Sequence, residues 1–171
     1  MTRTFALLLF ALLLAAPSRA QIGIVAYGGY DVDAGTTLFG AGGEFGLPVS
    51  APVALSLRAT AEFVSPVDRV IEGRTFNREV LQAHLDLLAE FGSGSVAPYA
   101  GLGAALADEK LDTADDDDVE GDQDRASTRI GANLIGGVRT ALGPVMPFVE
   151  ARVTVSAEPT VTALGGLAVR F

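Results

Sequence analysis

The sequence has no cysteine and no tryptophan, and only one histidine among 171 residues. Without cysteine there is no disulfide framework, no thiolate metal site and no N-terminal cysteine for lipid attachment. One histidine leaves no basis for a histidine-built metal centre. Basic residues are also few: 12 Lys and Arg stand against 21 Asp and Glu, a net charge of −9. A chain this acidic lacks the positive surface that nucleic acid requires, so nucleic-acid binding is excluded as a function. Long apolar runs are missing as well. The longest, Phe5 to Ala16, has 12 residues, short of the ~20 needed for a transmembrane helix.

That run has a different meaning. Thr2 and Arg3 precede it, and Pro17-Ser18-Arg19-Ala20 follows, with small residues at −3 and −1 of a cut after Ala20. This is the pattern of a secretory signal peptide. The expectation is a signal peptide at 1–20 and a single domain at 21–171. Loss of Arg3 and Arg19 would move the net charge from −9 to −11.

What is present in quantity is apolar character, 49% of residues, with 20 glycines. It is spread evenly and it alternates. The last stretch, Thr160 to Phe171, places Val161, Ala163, Gly165, Leu167, Val169 and Phe171 on one face. Period-two alternation is the signature of a β-strand with two unlike faces. In residues 52–64, Val53, Leu55, Leu57, Ala59, Ala61 and Phe63 oppose Ser56, Arg58, Thr60 and Glu62. In residues 76–92, Leu81, Ala83, Leu85, Leu87, Ala89 and Phe91 oppose Gln82, His84, Asp86 and Glu90. This stretch is rich in helix formers, but six consecutive alternations favour a strand. Similar patterns mark 127–142 and 145–156. The stretches 21–31, 36–47 and 95–107 are glycine-rich with less distinct faces. The predicted class is all-β: an eight-stranded antiparallel up-and-down transmembrane β-barrel.

The connections support this. Those after even strands are short, while 65–75 and 108–126 after odd strands read as long loops. Short turns at one end and longer loops at the other characterise outer-membrane barrels. The apolar face would then meet lipid and the polar face would line the lumen. The polar face balances its charges. A lumen network of Glu44, Arg58, Glu62, Arg78, His84, Asp86, Glu90, Arg139, Glu150, Arg152 and Arg170 is expected, with Arg129 also inward. Enclosed charges must be paired to be tolerated. Glycines recurring on the same face (Gly40, Gly42, Gly101, Gly103, Gly131, Gly137, Gly166) would make room for long side chains in so narrow a barrel.

Three segments carry a resemblance: PYAGLGAAL at Pro98–Leu106, GGVRTALGPVMPFVEARVTV at Gly136–Val155, and LGGLAVRF at Leu164–Phe171. With these the chain resembles the small outer-membrane β-barrel family of the opacity-protein and outer-membrane-protein-X type. The resemblance implies location in the outer membrane of a Gram-negative bacterium. It also implies that Gly165, Leu167, Val169 and Phe171 form the signal read by the barrel-assembly machinery. Aromatic girdles would be thin, drawn from Tyr27, Tyr30, Phe39, Phe45, Phe63, Phe76, Phe91, Tyr99 and Phe148.

Two features could carry chemistry. Between Asp108 and Arg125 lie ten acids and two bases, including Asp115, Asp116, Asp117, Asp118, Glu120, Asp122 and Asp124. Part of the run follows a calcium-loop spacing, but the twelfth position is Ser127 where the template needs Glu. The expected reading is a solvated surface loop, a candidate site for divalent cations or an extracellular partner. His84 has Asp86 two residues on and Ser56 on the neighbouring strand, which raises a lipid A-modifying enzyme as an alternative. An inward histidine is out of reach of a lipid substrate, so no enzymatic activity and no cofactor are expected. The expected function is an integral outer-membrane barrel with a side-chain-filled lumen, in contact with outer-membrane lipid. Its role would be structural, or surface interaction through the loops. A narrow porin-like channel is the other alternative.

Overall fold

The structure is a computed structural model that describes residues 21–48, 53–71, 74–92, 94–113 and 125–171; for 67–71, 74–78, 110–113 and 125–126 it describes the backbone alone. The signal segment expected at 1–20 lies outside the described residues.

Eight strands follow in chain order: β1 (Ile22–Asp31), β2 (Thr36–Leu47), β3 (Val53–Ile71), β4 (Arg74–Phe91), β5 (Val96–Thr113), β6 (Arg125–Thr140), β7 (Val145–Val155) and β8 (Thr160–Arg170). Each pairs antiparallel with its sequence neighbours, and β8 pairs with β1, closing the barrel. All eight predicted strands are present, including β4, where alternation prevails over helix propensity because both neighbours supply a ladder.

The stagger can be followed strand by strand. From Ile22, cross-strand partners run through Phe45, Leu57, Leu87, Leu102, Leu134, Val153 and Val161. The Val32 N–H then bonds the Val161 carbonyl at 2.8 Å, ten positions beyond Ile22. Ten residues of stagger over eight strands correspond to a strand tilt on the order of 40°. Every side chain on this circuit is apolar, and none of them is buried. On β4 the outward apolar band runs from Leu81 to Phe91. At ~3.3 Å per residue and that tilt, it stands on the order of 25 Å tall.

The interior is the inverse. Its buried residues include Arg58, Arg152, Asp86, Glu62, Glu150, Glu44 and His84, packed with Val25, Leu38, Leu88, Tyr27 and Tyr99. Gly92 and Gly143 adopt φ of 101° and 68° in the short turns after β4 and β6, backbone geometry that favours glycine.

Two expectations need correction. The segment 65–75 is strand wherever it is described: β3 continues to Ile71 and β4 begins at Arg74, past a register shift between Val64 and Val67. Similarly, β5 extends to Thr113 and β6 starts at Arg125, so the 108–126 segment begins and ends as paired strand. The sequence of these extensions does not alternate apolar with polar residues, so the pattern that reveals a strand is lost there. As a result β3 to β6 outrun β1, β2, β7 and β8, and the β6–β7 ladder stops at Ala132 and Val155.

Candidate functional site in the barrel interior

The interior network begins with position parity. On each strand the residues opposite the outward apolar set point inward, and the charges of the network fall on those positions, whereas Glu79 and Asp108 are exposed. Arg58 on β3 reaches across the lumen to Glu150 on β7, with Nη1–Oε2 at 2.7 Å and Nη2–Oε1 at 2.9 Å. Its Nη2 also lies 3.5 Å from Asp86 on β4. Arg152 donates to Glu62 at 2.9 Å and to Glu150 at 3.3 Å. Tyr27 donates its hydroxyl to Glu62 at 3.1 Å, and Tyr99 donates to Glu150 at 2.9 Å. The guanidiniums also stack, Arg139 4.7 Å from the Tyr99 centroid and Arg152 5.7 Å from that of Tyr27.

Asn133 joins the histidine to this network. Its amide nitrogen donates to Asp86 at 2.8 Å and to His84 Nδ1 at 3.0 Å. The other ring nitrogen, Nε2, lies 3.8 Å from Glu62 Oε1 and 3.3 Å from Arg152 Nη1. Thr154 completes the set by donating to the Asn133 carbonyl oxygen at 3.0 Å.

A second layer lies toward the chain termini. Arg139 holds Glu44 at 2.8 Å and Glu90 at 3.2 Å, and Arg170 holds the same two at 3.1 and 3.6 Å. At the opposite mouth, Arg129 pairs with Glu109 at 2.8 Å and with Glu158.

The structure brings these side chains into one interior network. Glu44, Arg58, Glu62, His84, Asp86, Glu90, Arg139, Glu150, Arg152 and Arg170 all take part; the Arg78 side chain lies outside the described residues. Its charges are divided by strand. Among the described residues of the network, β1 to β4 contribute four carboxylates and one guanidinium, while β5 to β8 contribute three guanidiniums and one carboxylate. At the level of Arg58, Asp86 and Arg152, none more than 1% exposed, side chains fill the lumen.

Sequence reasoning missed Tyr27, Tyr99 and Asn133 as members. Tyr27 and Tyr99 were expected in the outer girdles, as was Phe148; all three are buried inside, with Tyr27 and Phe148 packed edge to face. Glycines make the space, but chiefly for rings. A Cβ at Gly40 would lie 2.3 Å from the Tyr27 ring, and one at Gly137 would lie 2.4 Å from that of Tyr99. Gly103 clears Asp86 in the same way. Each tyrosine stands directly across from its glycine. That pairing, visible only once the register is known, accounts for the room they occupy.

The alternative catalytic set does not form. His84 is 4% exposed and is engaged by Asn133 and Arg152, while Asp86 is held by Asn133 and Arg58. Ser56 makes no hydrogen bond to either among the described residues. Asp115, Asp116, Asp117, Asp118, Glu120, Asp122 and Asp124 lie outside the described residues. Among the described residues, no group of three or more His, Asp or Glu is placed to hold a metal ion. In β8, Gly165 and Leu167 face outward, as does Phe171 beyond its end, while Val169 is half-buried; the Phe171 N–H bonds the Ile22 carbonyl at 2.9 Å.

These features define a class: a closed eight-stranded antiparallel barrel, apolar outside and ionic within. It is the fold of the small outer-membrane barrels. The N-terminal β-barrel domain of Pseudomonas aeruginosa OprF superposes with a TM-score of 0.60 at 17% identity, covering 88% of this chain and 97% of that one. Ail, the attachment invasion locus protein of Yersinia pestis, gives 0.58 at 15% identity, with 89% and 97% covered. The outer-membrane enzyme PagL gives 0.50 at 13% identity, with 87% and 98% covered. No family model and no curated protein matches the sequence.

Proposed function

We propose that this chain is an integral barrel of a bacterial outer membrane, closed by its own side chains and acting through its loop end. One observation carries the reading. The outward circuit of Ile22, Phe45, Leu57, Leu87, Leu102, Leu134, Val153 and Val161 is apolar, while the positions between them bury ion pairs. A water-soluble barrel would reverse the two faces; only lipid rewards this arrangement.

On this reading residues 1–20 direct export and are removed after Ala20, and Gly165, Leu167, Val169 and Phe171 serve the assembly machinery. A filled lumen favours a structural or surface-interaction role over conduction. The strands that outrun the barrel, β3 to β6, then form the presenting surface. Ail has been crystallised with the heparin analogue sucrose octasulfate. The acidic 108–126 segment suits the opposite chemistry, a cationic partner or divalent cations.

Expression in a Gram-negative host tests this. The protein should fractionate with outer membranes, begin at Gln21 and run faster on gels before boiling. Recovery in the soluble periplasm would overturn the membrane reading. A sustained single-channel current in planar bilayers would overturn the closed lumen.

A further inference from the structure

β1 begins at Ile22, and the residue before it is Gln21. The Gln21 carbonyl is fixed, because it accepts the Gly46 N–H at 2.8 Å. On the β8 side the ladder stops one residue later, where the Phe171 N–H bonds the Ile22 carbonyl at 2.9 Å. The Gln21 backbone nitrogen and side-chain amide take part in no hydrogen bond among the described residues. Gln21 is exposed, and with Gly46, Ser56, Glu90 and Arg170 it lines a cavity of about 230 Å³. Part of this space belongs to Gly46: a Cβ added there would lie 3.5 Å from the Gln21 Cβ and 3.7 Å from its nitrogen. The fold thus anchors Gln21 at its carbonyl and leaves free the two groups that can react with each other.

We propose that Gln21 closes on itself to a pyroglutamyl end in the mature chain. Gln21 becomes terminal only through the removal of residues 1–20 proposed above, and the cyclisation rests on that reading. The cut turns the Gln21 nitrogen from an amide into an amine, which attacks the side-chain carbonyl carbon Cδ. The N–Cδ bond forms, the Cδ–Nε2 bond breaks, and Nε2 leaves as ammonia with the proton given up by the amine. No oxidant, reductant or co-substrate is consumed. Anchoring the carbonyl does not oppose closure, because the ring contains N, Cα, Cβ, Cγ and Cδ and leaves the carbonyl outside. Size agrees, since about 150 Å³ accommodates a ligand as large as benzene. Charge agrees too. The one carboxylate in the cavity wall, Glu90, already faces Arg139 at 3.2 Å and Arg170 at 3.6 Å. A terminal ammonium would add a positive charge with no carboxylate of its own, whereas the lactam is neutral.

The test is mass spectrometry of the N-terminal peptide of the protein expressed in a Gram-negative host. The peptide should begin at Gln21 and be lighter than its open form by one ammonia, and pyroglutamyl aminopeptidase should remove that first residue. An open Gln21 bearing an amine overturns the proposal and leaves the export reading standing. A peptide that begins anywhere else overturns the cut after Ala20 and the proposal with it. Gln21→Ser, which has no amide to lose, should give an amine-bearing end and the same yield of folded barrel; a loss of ammonia there as well would overturn the assignment to Gln21. A second measurement isolates the part played by the fold. A chain made to begin at Gln21 by removal of an N-terminal tag should lose ammonia after refolding in detergent. Its rate should lie within about threefold of that in urea, as for a terminus whose reacting groups the fold does not hold. Cyclisation confined to the unfolded chain would overturn the proposal.

Discussion

Arg58 and Glu150 stand 92 residues apart in the chain and meet across the lumen in a two-pronged ion pair, at 2.7 and 2.9 Å. Neither side chain is more than 1% exposed. Removing one partner strands the other without water. Arg58→Ala and Glu150→Ala should each destabilise the barrel by about 3–5 kcal/mol, read as a lower urea midpoint of refolded protein. Arg58→Met with Glu150→Leu, which removes both charges and keeps volume, should cost clearly less than the two single changes together.

Gly137 supplies a second measurement. A methyl group there would lie 2.4 Å from the Tyr99 ring and 2.7 Å from the Val149 carbonyl. Gly137→Ala should cost about 1–3 kcal/mol through overpacking. Gly136, one residue away and outward, has nothing within 4 Å of such a methyl. Gly136→Ala should therefore leave the midpoint nearly unchanged, and the contrast between the two is the readout.

The outward band makes a third. Leu87 lies in mid-strand on the exterior, 46% exposed. Leu87→Arg should reduce stability in lipid by about 2–4 kcal/mol, whereas a charge near either end of the band should cost about 0–1 kcal/mol. Equal costs at both depths in liposome refolding would contradict the placement of the apolar belt.

Phe171 gives a fourth. Phe171→Ala, or a one-residue extension beyond it, should lower the amount of folded barrel in outer membranes without changing the stability of protein refolded in detergent. An equal loss in both assays would make Phe171 a structural residue only.

Alternation made the barrel legible. Where a strand has one apolar and one ionic face, as Val53 to Glu62 does, parity assigns every side chain. It failed where that contrast disappears. Residues 65–71 and 108–113 do not alternate apolar with polar residues, so the extended ladder reads as loop until the pairing of Arg69 with Phe76 or Glu109 with Ser127 is seen. Tyr27 and Tyr99 were misplaced for a related reason. Aromatic residues suit both a membrane girdle and a packed interior, and a facing glycine alone does not separate the two, since outward Phe39 also stands across from Gly28. Asn133 sat on the correct face, but its bridge between His84 and Asp86 joins β4 to β6, and no local pattern encodes that.

The uneven division of interior charge between the two halves has a consequence for assembly. Arg139, Arg170 and Arg152, from the second half, clasp Glu44, Glu90 and Glu62 from the first. Each half alone carries interior network charges of one predominant sign, acidic in the first half and basic in the second, although both halves are net acidic overall. Each is also an electrostatic mould of the other. The chain thus behaves as a heterodimer joined by the turn at 92–95. Cutting there should yield two fragments that refold only in each other's company, and closure should be a single cooperative event with no stable half-barrel on the way.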